Sequence, residues 1–315
     1  MTQLEAELGE VKPERPMVLS IGVFDGVHLG HQALIAETVR QANEAGLLSG
    51  VVTFARHPRQ VLGKHKELPH LTSPEQRTKL LEAAGIDRVI TLSFTTELAS
   101  LPAADFIGLL IKYLSMKSLV VGPDFALGKG REGNIEALKA LGNSLDFKVR
   151  VVPPRLRNGH KVSSTLIRKA MAESDMARVH DLLGRYFSLE GKVVRGEGRG
   201  ATLGIPTANL ETKPDQALPA DGVYATIACA GGNTVPAVTN IGTRPTFGAG
   251  RRTVETHLLN FSGQLYGQVL EIAIIEQIRP ERKFISADEL KTQIKDDIVR
   301  ARQILEKTGG FRCQT

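Results

Sequence analysis

Residues 22–31 read GVFDGVHLGH and place His28 and His31 three positions apart, directly after an apolar run and within a pattern that predicts a helix to Ala45. A turn from strand into helix brings backbone N–H groups and the positive end of the helix dipole to one point, which favours a bound phosphate. Because residues three apart share one face of a helix, both imidazoles can donate hydrogen bonds to phosphoryl oxygens and stabilise transition-state charge. The spacing therefore predicts a phosphate site in which these two histidines act.

Two other interpretations of this histidine pair stay open on the spacing alone. The side chains are surface histidines, or they are a metal pair at helical spacing. A zinc site needs a third ligand, for which His57 is a weak candidate. Gly30, between the two histidines, suits the phosphate interpretation because a glycine lets a nucleotide approach the backbone closely.

Residues 162–168, VSSTLIR, form a second motif at the far end of the same half of the chain and open a predicted helix. Ser163 and Ser164 can cap that helix and still offer hydroxyl groups to phosphates. Arg168, about one turn later, supplies a forked cation. Helix capping alone is the alternative explanation for the serines. The motif is therefore a candidate second element of a triphosphate site.

A third motif, GEGRGATLGIPTAN at residues 196–209, concentrates its glycines ahead of a Pro-Thr-Ala-Asn sequence. Glycines allow a loop to fold tightly over phosphates, with its backbone N–H groups forming an anion nest. If the chain after the loop is extended, Thr207 and Asn209 share one face, where two neutral oxygens can bind Mg²⁺ that keeps phosphate and water ligands. An ordinary hairpin loop explains the glycines alone equally well. The glycines that we assign to phosphate contacts are Gly198, Gly200 and Gly204.

Short apolar runs alternate with amphipathic stretches in the first half of the chain, which predicts a doubly wound α/β domain with a parallel sheet. A helix is predicted from Ser73, where Pro74 and the capping-box residue Gln76 mark its beginning. The histidine motif follows the first strand, at the kind of strand end where open α/β sheets bind ligands. The predicted strands are Met17 to Ile21, Gly50 to Phe54, Arg88 to Leu92, Ser118 to Gly122 and Phe147 to Val152.

From Tyr186 to Ile278 the pattern changes to strand after strand without a helix between them, which predicts an antiparallel sandwich or barrel. A last helix, predicted from Ser286, repeats apolar residues along one face and should cap this barrel. We therefore predict two domains, residues 17–184 and 185–308. The predicted strands of the second domain are Phe187 to Val194, Val223 to Cys229, Thr234 to Asn240, Thr253 to Asn260 and Val269 to Ile278.

The motifs of the first half resemble those of bacterial FAD synthetases. The string at 22–31 is similar to their GxFDGxHxGH form of the HxGH signature of nucleotidylyltransferases, and residues 162–168 resemble the (I/V)SSTxIR element that completes the ATP triphosphate site. The resemblance implies a Rossmann-like FMN adenylyltransferase domain with His28, His31 and Arg168 as catalytic residues. It also implies contacts to ATP and its phosphates from Gly22, Phe24, Asp25, Gly30, Asp124, Ser163, Ser164 and Thr165.

Two further segments of the first half resemble the same family but depart from its usual sequence. Residues 51–58, VVTFARHP, carry Ala55-Arg56 where TFxPHP is usual, and residues 121–128, VGPDFALG, carry Ala126-Leu127 where DFRFG is commoner. Both segments follow predicted strands, where a ligand is expected. The departures leave the contacts made by these two segments open.

The motifs of the second half resemble the riboflavin kinase domain. The similar strings are GRGATLGIPTAN at 198–209, NIGTRPTF at 240–247 and ETHLL at 255–259. The resemblance implies that Thr207 and Asn209 bind Mg²⁺ with ATP and that Glu255 is the catalytic base. A carboxylate there can take the proton of a ribityl hydroxyl as it attacks the γ-phosphate. From the sequence alone, Glu255 is equally compatible with a surface strand.

Together the two resemblances imply an enzyme that phosphorylates riboflavin to FMN in its C-terminal domain and adenylylates FMN to FAD in its N-terminal domain, releasing pyrophosphate. Riboflavin, FMN and ATP are the expected partners, and Mg²⁺ is expected at both sites. Loss of one activity through decay of one domain is a narrower alternative, against which the intact motifs in both halves argue.

Composition limits the other classes of function. A formal charge of +6 and a pI of about 9.3 suit anionic partners in general. The absence of tryptophan and an aromatic content of 5% argue against a nucleic-acid-binding surface, which needs stacking residues among its basic ones. Neither a long apolar stretch nor an apolar leader occurs, so we expect no membrane association and a cytoplasmic location.

Overall fold

The computed structural model describes residues 1–61, 63, 69–196, 200, 204–243 and 252–308. The chain divides into two compact units, here called the N-terminal unit, Met1–Ser164, and the C-terminal unit, Thr165–Thr315. This division falls about twenty residues before the predicted domain boundary at 184, because α8 and α9, whose bounds are given below, group with the barrel.

The N-terminal unit is built on a five-stranded sheet in which every pairing is parallel, as predicted. Its order is β3-β2-β1-β4-β5, so the chain turns back beside β1, and the ends of β1 and β4 form the switch point where such sheets bind ligands. The strands are β1 (Met17–Ile21), β2 (Leu48–Phe54), β3 (Arg88–Leu92), β4 (Met116–Val121) and β5 (Lys148–Val151).

Helices cover this sheet, and every residue of β1 and β2 is buried. The helices of this unit are α1 (Gln3–Gly9), α2 (Leu29–Ala45), α3 (Pro58–Val61), α4 (Pro74–Ala83), α5 (Thr96–Ser100), α6 (Ala103–Leu114) and α7 (Ile135–Leu145), with a 3₁₀ turn at Lys129–Arg131. A small hairpin, β6 (Leu156–Arg157) and β7 (His160–Lys161), precedes the serine motif at residues 162–168.

The N-terminal unit differs from the sequence prediction in several places, among them the first residue of β4, which is Met116 rather than Ser118. β2 begins at Leu48 rather than Gly50, because Leu48 pairs with Met17 of β1. The first helix, α1, was not predicted, since seven residues are too few to display a helical period. A capping box between Thr2 and Glu5 starts it, and Leu8 is fully buried in the core that α6 also lines.

The C-terminal unit contains a closed six-stranded barrel in the order β10-β11-β12-β9-β8-β13, with antiparallel pairings throughout. The prediction of an antiparallel barrel is confirmed. The strands are β8 (Phe187–Val194), β9 (Ala208–Glu211), β10 (Gly222–Ala230), β11 (Asn233–Thr243), β12 (Arg252–Leu258) and β13 (Val269–Pro280). The helices are α8 (Ser164–Ala172), which starts on the last residue of the N-terminal unit, α9 (Met176–Leu183) and α10 (Ala287–Glu306).

The barrel also differs from the prediction, in one additional strand and in several strand bounds. β9 was absent from the predicted strands because its four residues, although apolar and polar side chains alternate along them, are too few to stand out as a strand in the sequence. β12 ends at Leu258 rather than Asn260, because Asn260 adopts a positive φ of 56° that ends an extended strand.

Three threonines form a chain of hydroxyl groups inside the barrel. Thr226 Oγ1 lies 2.8 Å from Thr239 Oγ1, which in turn lies 3.0 Å from Thr256 Oγ1, and all three residues are fully buried. Each buried hydroxyl thereby has a partner, and an unpaired one would cost about 1–3 kcal/mol. This polar chain links β10, β11 and β12 across the barrel.

Helix α10 covers one face of the barrel, as predicted. Its Ala301 and Ile304 are buried against Val223 and Val238. Asp297 of α10 accepts two hydrogen bonds from Nε of Arg279, at 3.0 and 3.1 Å, and one from Nη2 at 2.9 Å. A bidentate ion pair of this kind fixes the orientation of the helix on β13. Within the described ranges, the chain has no helix with the length and apolar character needed to cross a membrane.

Candidate active sites

His28 and His31 meet at the N-terminus of α2. His28 is the N-cap residue, and its Nδ1 accepts a hydrogen bond from the backbone N–H of His31 at 3.3 Å. The two rings are stacked, with centroids 3.6 Å apart and planes inclined by 15°. Because Nδ1 of His28 is an acceptor, its neutral ring carries the proton on Nε2 and can donate from there. The structure thus brings the two predicted histidines together at a helix N-terminus, where a phosphate is favoured.

Phe24 and Gly30 hold this pair in place. Phe24 adopts a φ of 51°, is 1% exposed, and packs its ring 5.1 Å from that of His31. A Cβ at Gly30 would lie 3.1 Å from the ring of His28, so a side chain there would push the stacked ring away. Phe24, predicted as an ATP contact, therefore packs against the ring of His31. Gly30 leaves room for the ring of His28 in its stacked position.

Asp25 is the buried anchor of the same loop. It is 2% exposed, and its Oδ1 accepts hydrogen bonds from the backbone N–H groups of Leu71 at 2.9 Å and Thr72 at 3.2 Å. Its backbone carbonyl accepts a hydrogen bond from Ser164 Oγ at 2.9 Å. These contacts hold the loop between the residues before α4 and the serine motif at 162–168. Asp25 was predicted to contact ATP or its phosphates, and this anchoring role was not predicted.

The first three residues of the second motif, 162–164, lie beside the histidine loop within the N-terminal unit. A Cβ on Gly30 would come within 3.5 Å of the Val162 carbonyl, and Ser164 is bonded to the loop as described above. Ser163 lies between them and is half-buried. Thr165 and Arg168 follow on α8, in the C-terminal unit.

Asp124 follows β4 and is exposed. Its carboxylate forms an ion pair with Lys161 of β7, and its backbone carbonyl accepts a hydrogen bond from Arg131 Nη2 at 2.9 Å. The hydrogen bond from Lys161 lowers the pKa of the Asp124 carboxyl below its usual value. Asp124, predicted to contact ATP, therefore lies beside two cations, Lys161 and Arg131, which the sequence did not predict. Cations of this kind suit an anionic ligand.

A cavity of about 850 Å³ opens beside the histidine loop, a size usual for small-molecule sites. Gly22 and Val23 of the loop form part of its wall, and Arg131 lies on it as well. Phe54 and Phe94 meet edge to face there, with ring centroids 5.3 Å apart. The other apolar lining residues include Phe106, Phe125, Ala126 and Leu127. The cavity has the aromatic walls that bind a planar ring, and two of the family departures, Ala126 and Leu127, line it.

The second candidate site lies on the barrel, where β9 pairs with β12. Asn209 of β9 lies directly opposite Glu255 of β12, and Glu255 lies directly opposite Asn240 of β11. Residues directly opposite one another in an antiparallel pair project to the same side of the sheet. The predicted base is therefore flanked by two amide side chains, one of which is a predicted Mg²⁺ ligand.

Gly196 and Gly200, which precede β9, lie against the predicted metal ligands. A Cβ at Gly196 would overlap the side chain of Asn209, and one at Gly200 would lie 3.2 Å from Thr207 Oγ1. Gly196 must therefore lack a side chain for Asn209 to keep its position. Gly204 has a φ of 76°. Gly198 and residues 244–247 of the kinase-like motifs lie outside the described residues.

His257, two residues after Glu255 on β12, ties this strand to the same segment. Its Nδ1 lies 2.7 Å from the carbonyl oxygen of Pro206, and since a carbonyl only accepts, the ring donates. The contact joins the strand of the predicted base to the residue that precedes Thr207. The E-x-H spacing was visible in the sequence, but the partner of the histidine was not.

The donor chemistry of this segment fits Mg²⁺. Thr207 and Asn209 offer neutral oxygens, and Glu255 places a carboxylate opposite Asn209, which are the oxygen ligands that Mg²⁺ prefers when phosphate and water complete its shell. Across the described ranges, no three His, Cys, Asp or Glu side chains cluster as metal ligands, so the zinc alternative for His28 and His31 finds no third ligand there.

Comparisons with known proteins cover both units. Residues 10–166 match the family model of FAD synthetase, and residues 183–305 match that of riboflavin kinase. The bifunctional riboflavin kinase/FMN adenylyltransferase of Escherichia coli K12 is 37% identical over 298 residues, which cover 94% of this chain and 95% of that protein. The enzyme of the same name from Pseudomonas fluorescens is 38% identical over 310 residues, 96% of this chain and 97% of its own.

Among solved structures, that of a macrolide-efflux protein from Streptococcus pneumoniae matches with a TM-score of 0.86 and 31% identity, covering 96% of this chain and 97% of that one. Its name refers to a different activity from that of the sequence relatives. The two domain models match one half of the chain each, and both relatives match it over nearly its full length. The chain belongs to the family of bifunctional riboflavin kinase/FMN adenylyltransferases.

Proposed function

We propose that this chain transfers the γ-phosphate of ATP to riboflavin on its barrel and then adenylylates FMN to FAD in its α/β domain. One observation carries the proposal: a stacked histidine pair at a helix N-terminus and a carboxylate opposite an asparagine at a glycine loop occur in one chain. Domains of 17–184 and 185–308 and a cytoplasmic location form part of this proposal.

In adenylylation, the flavin ring of FMN occupies the aromatic cavity and its phosphate faces the histidine loop. An oxygen of that phosphate attacks the α-phosphorus of ATP, and the bond to the β-phosphate oxygen breaks to release pyrophosphate. His28 and His31 donate to the phosphoryl oxygens on which charge builds. Ser163, Ser164, Thr165 and Arg168 hold the β- and γ-phosphates, so positioning and charge stabilisation suffice without a covalent intermediate.

In phosphorylation, Glu255 takes the proton of the ribityl hydroxyl as its oxygen attacks the γ-phosphorus, and the bond to the β-phosphate oxygen breaks to release ADP. Thr207 and Asn209 are the residues that would hold Mg²⁺, which supplies charge neutralisation to the phosphates when bound. Backbone N–H groups at Gly198, Gly200 and Gly204 bind phosphate oxygens. His257 keeps Pro206, and with it the segment 206–209, against the strand of the base.

Purified protein given riboflavin, ATP and Mg²⁺ is expected to form FMN first and FAD later, and excess EDTA should stop both steps because each uses a Mg²⁺-bound triphosphate. Separation of the flavins by chromatography over time measures both reactions. FMN without FAD would contradict the bifunctional proposal but keep the kinase. Formation of FAD at an undiminished rate in EDTA would contradict the Mg²⁺ requirement of the second step.

A fragment of residues 165–315 is expected to be more stable than one of residues 185–315, by roughly 5 kcal/mol or more. Helix α9 contacts β8 and β13, and Ser174 bonds to the hydroxyl of Tyr224 at 3.0 Å, so the shorter fragment exposes apolar surface. Urea unfolding of both fragments measures this difference, and equal midpoints would contradict it. Both fragments should make FMN, and neither should make FAD. The buried α9 side chains that the shorter fragment lacks are Met176, Val179, Leu182 and Leu183.

A further inference from the structure

Arg77 of α4 is among the largest fully buried side chains in the described part of the chain, with 1% of its surface exposed. Its Nη1 donates to the carbonyl oxygen of Val23 at 2.9 Å, and its Nη2 donates to that of Phe54 at 2.7 Å. Its Nε is buried and has no hydrogen-bond partner among the described residues. The guanidinium is therefore held by two backbone carbonyls instead of a bidentate carboxylate.

A buried guanidinium is costly to keep. Burial lowers the pKa of Arg77, whereas the carboxylates of Asp25 and Glu75 raise it. Arginine nevertheless stays charged in proteins, so the desolvation cost is borne in the folded state. An apolar side chain would pack here without that desolvation cost. We therefore look for the role of Arg77 in its two carbonyl contacts, which lie beside the proposed adenylylation site.

The two carbonyls belong to two different segments of the proposed adenylylation site. Val23 lies in the histidine loop, directly after Gly22, and its carbonyl also accepts a hydrogen bond from Thr53 Oγ1 at 3.1 Å. Phe54 is the last residue of β2. Both Val23 and Phe54 line the 850 Å³ cavity. The forked cation thus sets the spacing between the phosphate-binding loop and the wall that receives the planar ring.

Helix α4 holds the loop at a second point as well. The residues just before the helix, Leu71 and Thr72, donate their backbone N–H groups to Asp25, and Thr72 Oγ1 accepts a hydrogen bond from the Gly26 N–H at 3.1 Å. Asp25 anchors the middle of the loop and Arg77 anchors its beginning. Together, the contacts of Asp25 and Arg77 fix the loop before His28 relative to β2.

We propose that Arg77 is a positioning residue for adenylyl transfer: by holding the Val23 and Phe54 carbonyls, it aligns the phosphate of FMN with the α-phosphate of ATP. The inference rests on the adenylylation proposed above. Misalignment of reacting groups by about 1 Å lowers rates by roughly 10²-fold without abolishing binding. Loss of Arg77 should therefore affect kcat for adenylylation far more than the affinity for either substrate.

The test uses full-length protein in three variants. Arg77→Lys keeps a cation but loses the fork, Arg77→Met removes both, and Lys79→Met removes an exposed cation from the same helix as a matched control. We expect kcat for FAD formation to fall roughly 10-fold in Arg77→Lys and roughly 10²-fold in Arg77→Met. Dissociation constants of FMN and ATP should change less than about threefold, and Lys79→Met should match the parent.

Circular dichroism and the melting temperature of the same preparations are the controls for folding, because riboflavin phosphorylation belongs to the other unit and does not report on the unit that holds Arg77. If Arg77→Met lowers the melting temperature so far that its adenylylation cannot be measured, the kcat of Arg77→Lys tests the positioning role alone. An unchanged kcat in Arg77→Lys, or a loss of FMN binding that accounts for the whole loss of rate, would overturn the positioning role. Failure of the parent itself to convert FMN to FAD would instead reject the proposed function, so the two failures are distinguishable.

Discussion

Alanine at His28 or His31 is expected to lower kcat for FMN adenylylation by roughly 10²-fold or more, the scale of losing a donor that stabilises transition-state charge. The stacked rings lie at the N-terminus of α2, where developing charge on phosphoryl oxygens receives both side-chain and backbone donors. Riboflavin phosphorylation should stay within about twofold of the parent, since Glu255 and Asn209 lie in the other unit. Steady-state kinetics of the two half-reactions measures both effects on the same preparation.

His28 also caps α2, so the alanine variant carries a separate structural cost of about 1 kcal/mol. His28→Asn separates the two effects, because asparagine is a good N-cap but lacks the Nε2 donor. It should recover the melting temperature without recovering adenylylation. His180→Ala removes a half-buried histidine of α9 that belongs to neither candidate site and should leave both activities unchanged. Recovery of full adenylylation in His28→Asn would reduce His28 to a cap.

Glutamine at Glu255 is expected to lower kcat for riboflavin phosphorylation by roughly 10²-fold or more, because it keeps the shape of the side chain but removes the base. Binding of ATP should persist, since Thr207 and the glycine loop are unchanged. Adenylylation of supplied FMN should also persist. Kinetics with riboflavin and with FMN as alternative substrates measures the two activities separately.

Glu276→Gln is the matched control for this variant, as Glu276 is an exposed glutamate on β13 of the same barrel. It should behave like the parent. A kcat in Glu255→Gln equal to that of the parent would remove Glu255 from the mechanism. A loss of both activities together in Glu255→Gln would indicate misfolding, which circular dichroism would detect.

The sequence was sufficient for the elements with strong local signals. Ser73, Pro74 and Gln76 marked the start of α4, and the capping box is present in the structure. The residues of β1 are apolar except for Ser20, and all five are buried, as expected for a central strand of a sheet that helices cover. The resemblance of the motifs to two known families was also enough to expect both activities.

The contacts that depend on distant parts of the chain could not be predicted. Asp25 has the sequence context of a ligand-binding residue, and only the fold places Leu71 and Thr72 against its carboxylate. Arg77 carries a charge, so a pattern of apolar residues assigns it to the surface, although Leu81 one turn later is buried beside it in the same helix. Burial of a cation depends on two carbonyls that are 54 and 23 residues away.

The chain of threonine hydroxyls inside the barrel has a consequence for how the barrel can change during evolution. Valine at Thr239 alone would leave the hydroxyls of Thr226 and Thr256 buried without their central partner, which costs about 1–3 kcal/mol for each group. Valine at all three positions removes the whole polar chain and can be nearly neutral. A sequence that has lost only the central threonine is therefore less stable than either end point, whereas loss of Thr226 or Thr256 alone leaves the other two hydroxyls paired. In a lineage of such barrels, Thr239 should seldom be replaced before its two neighbours.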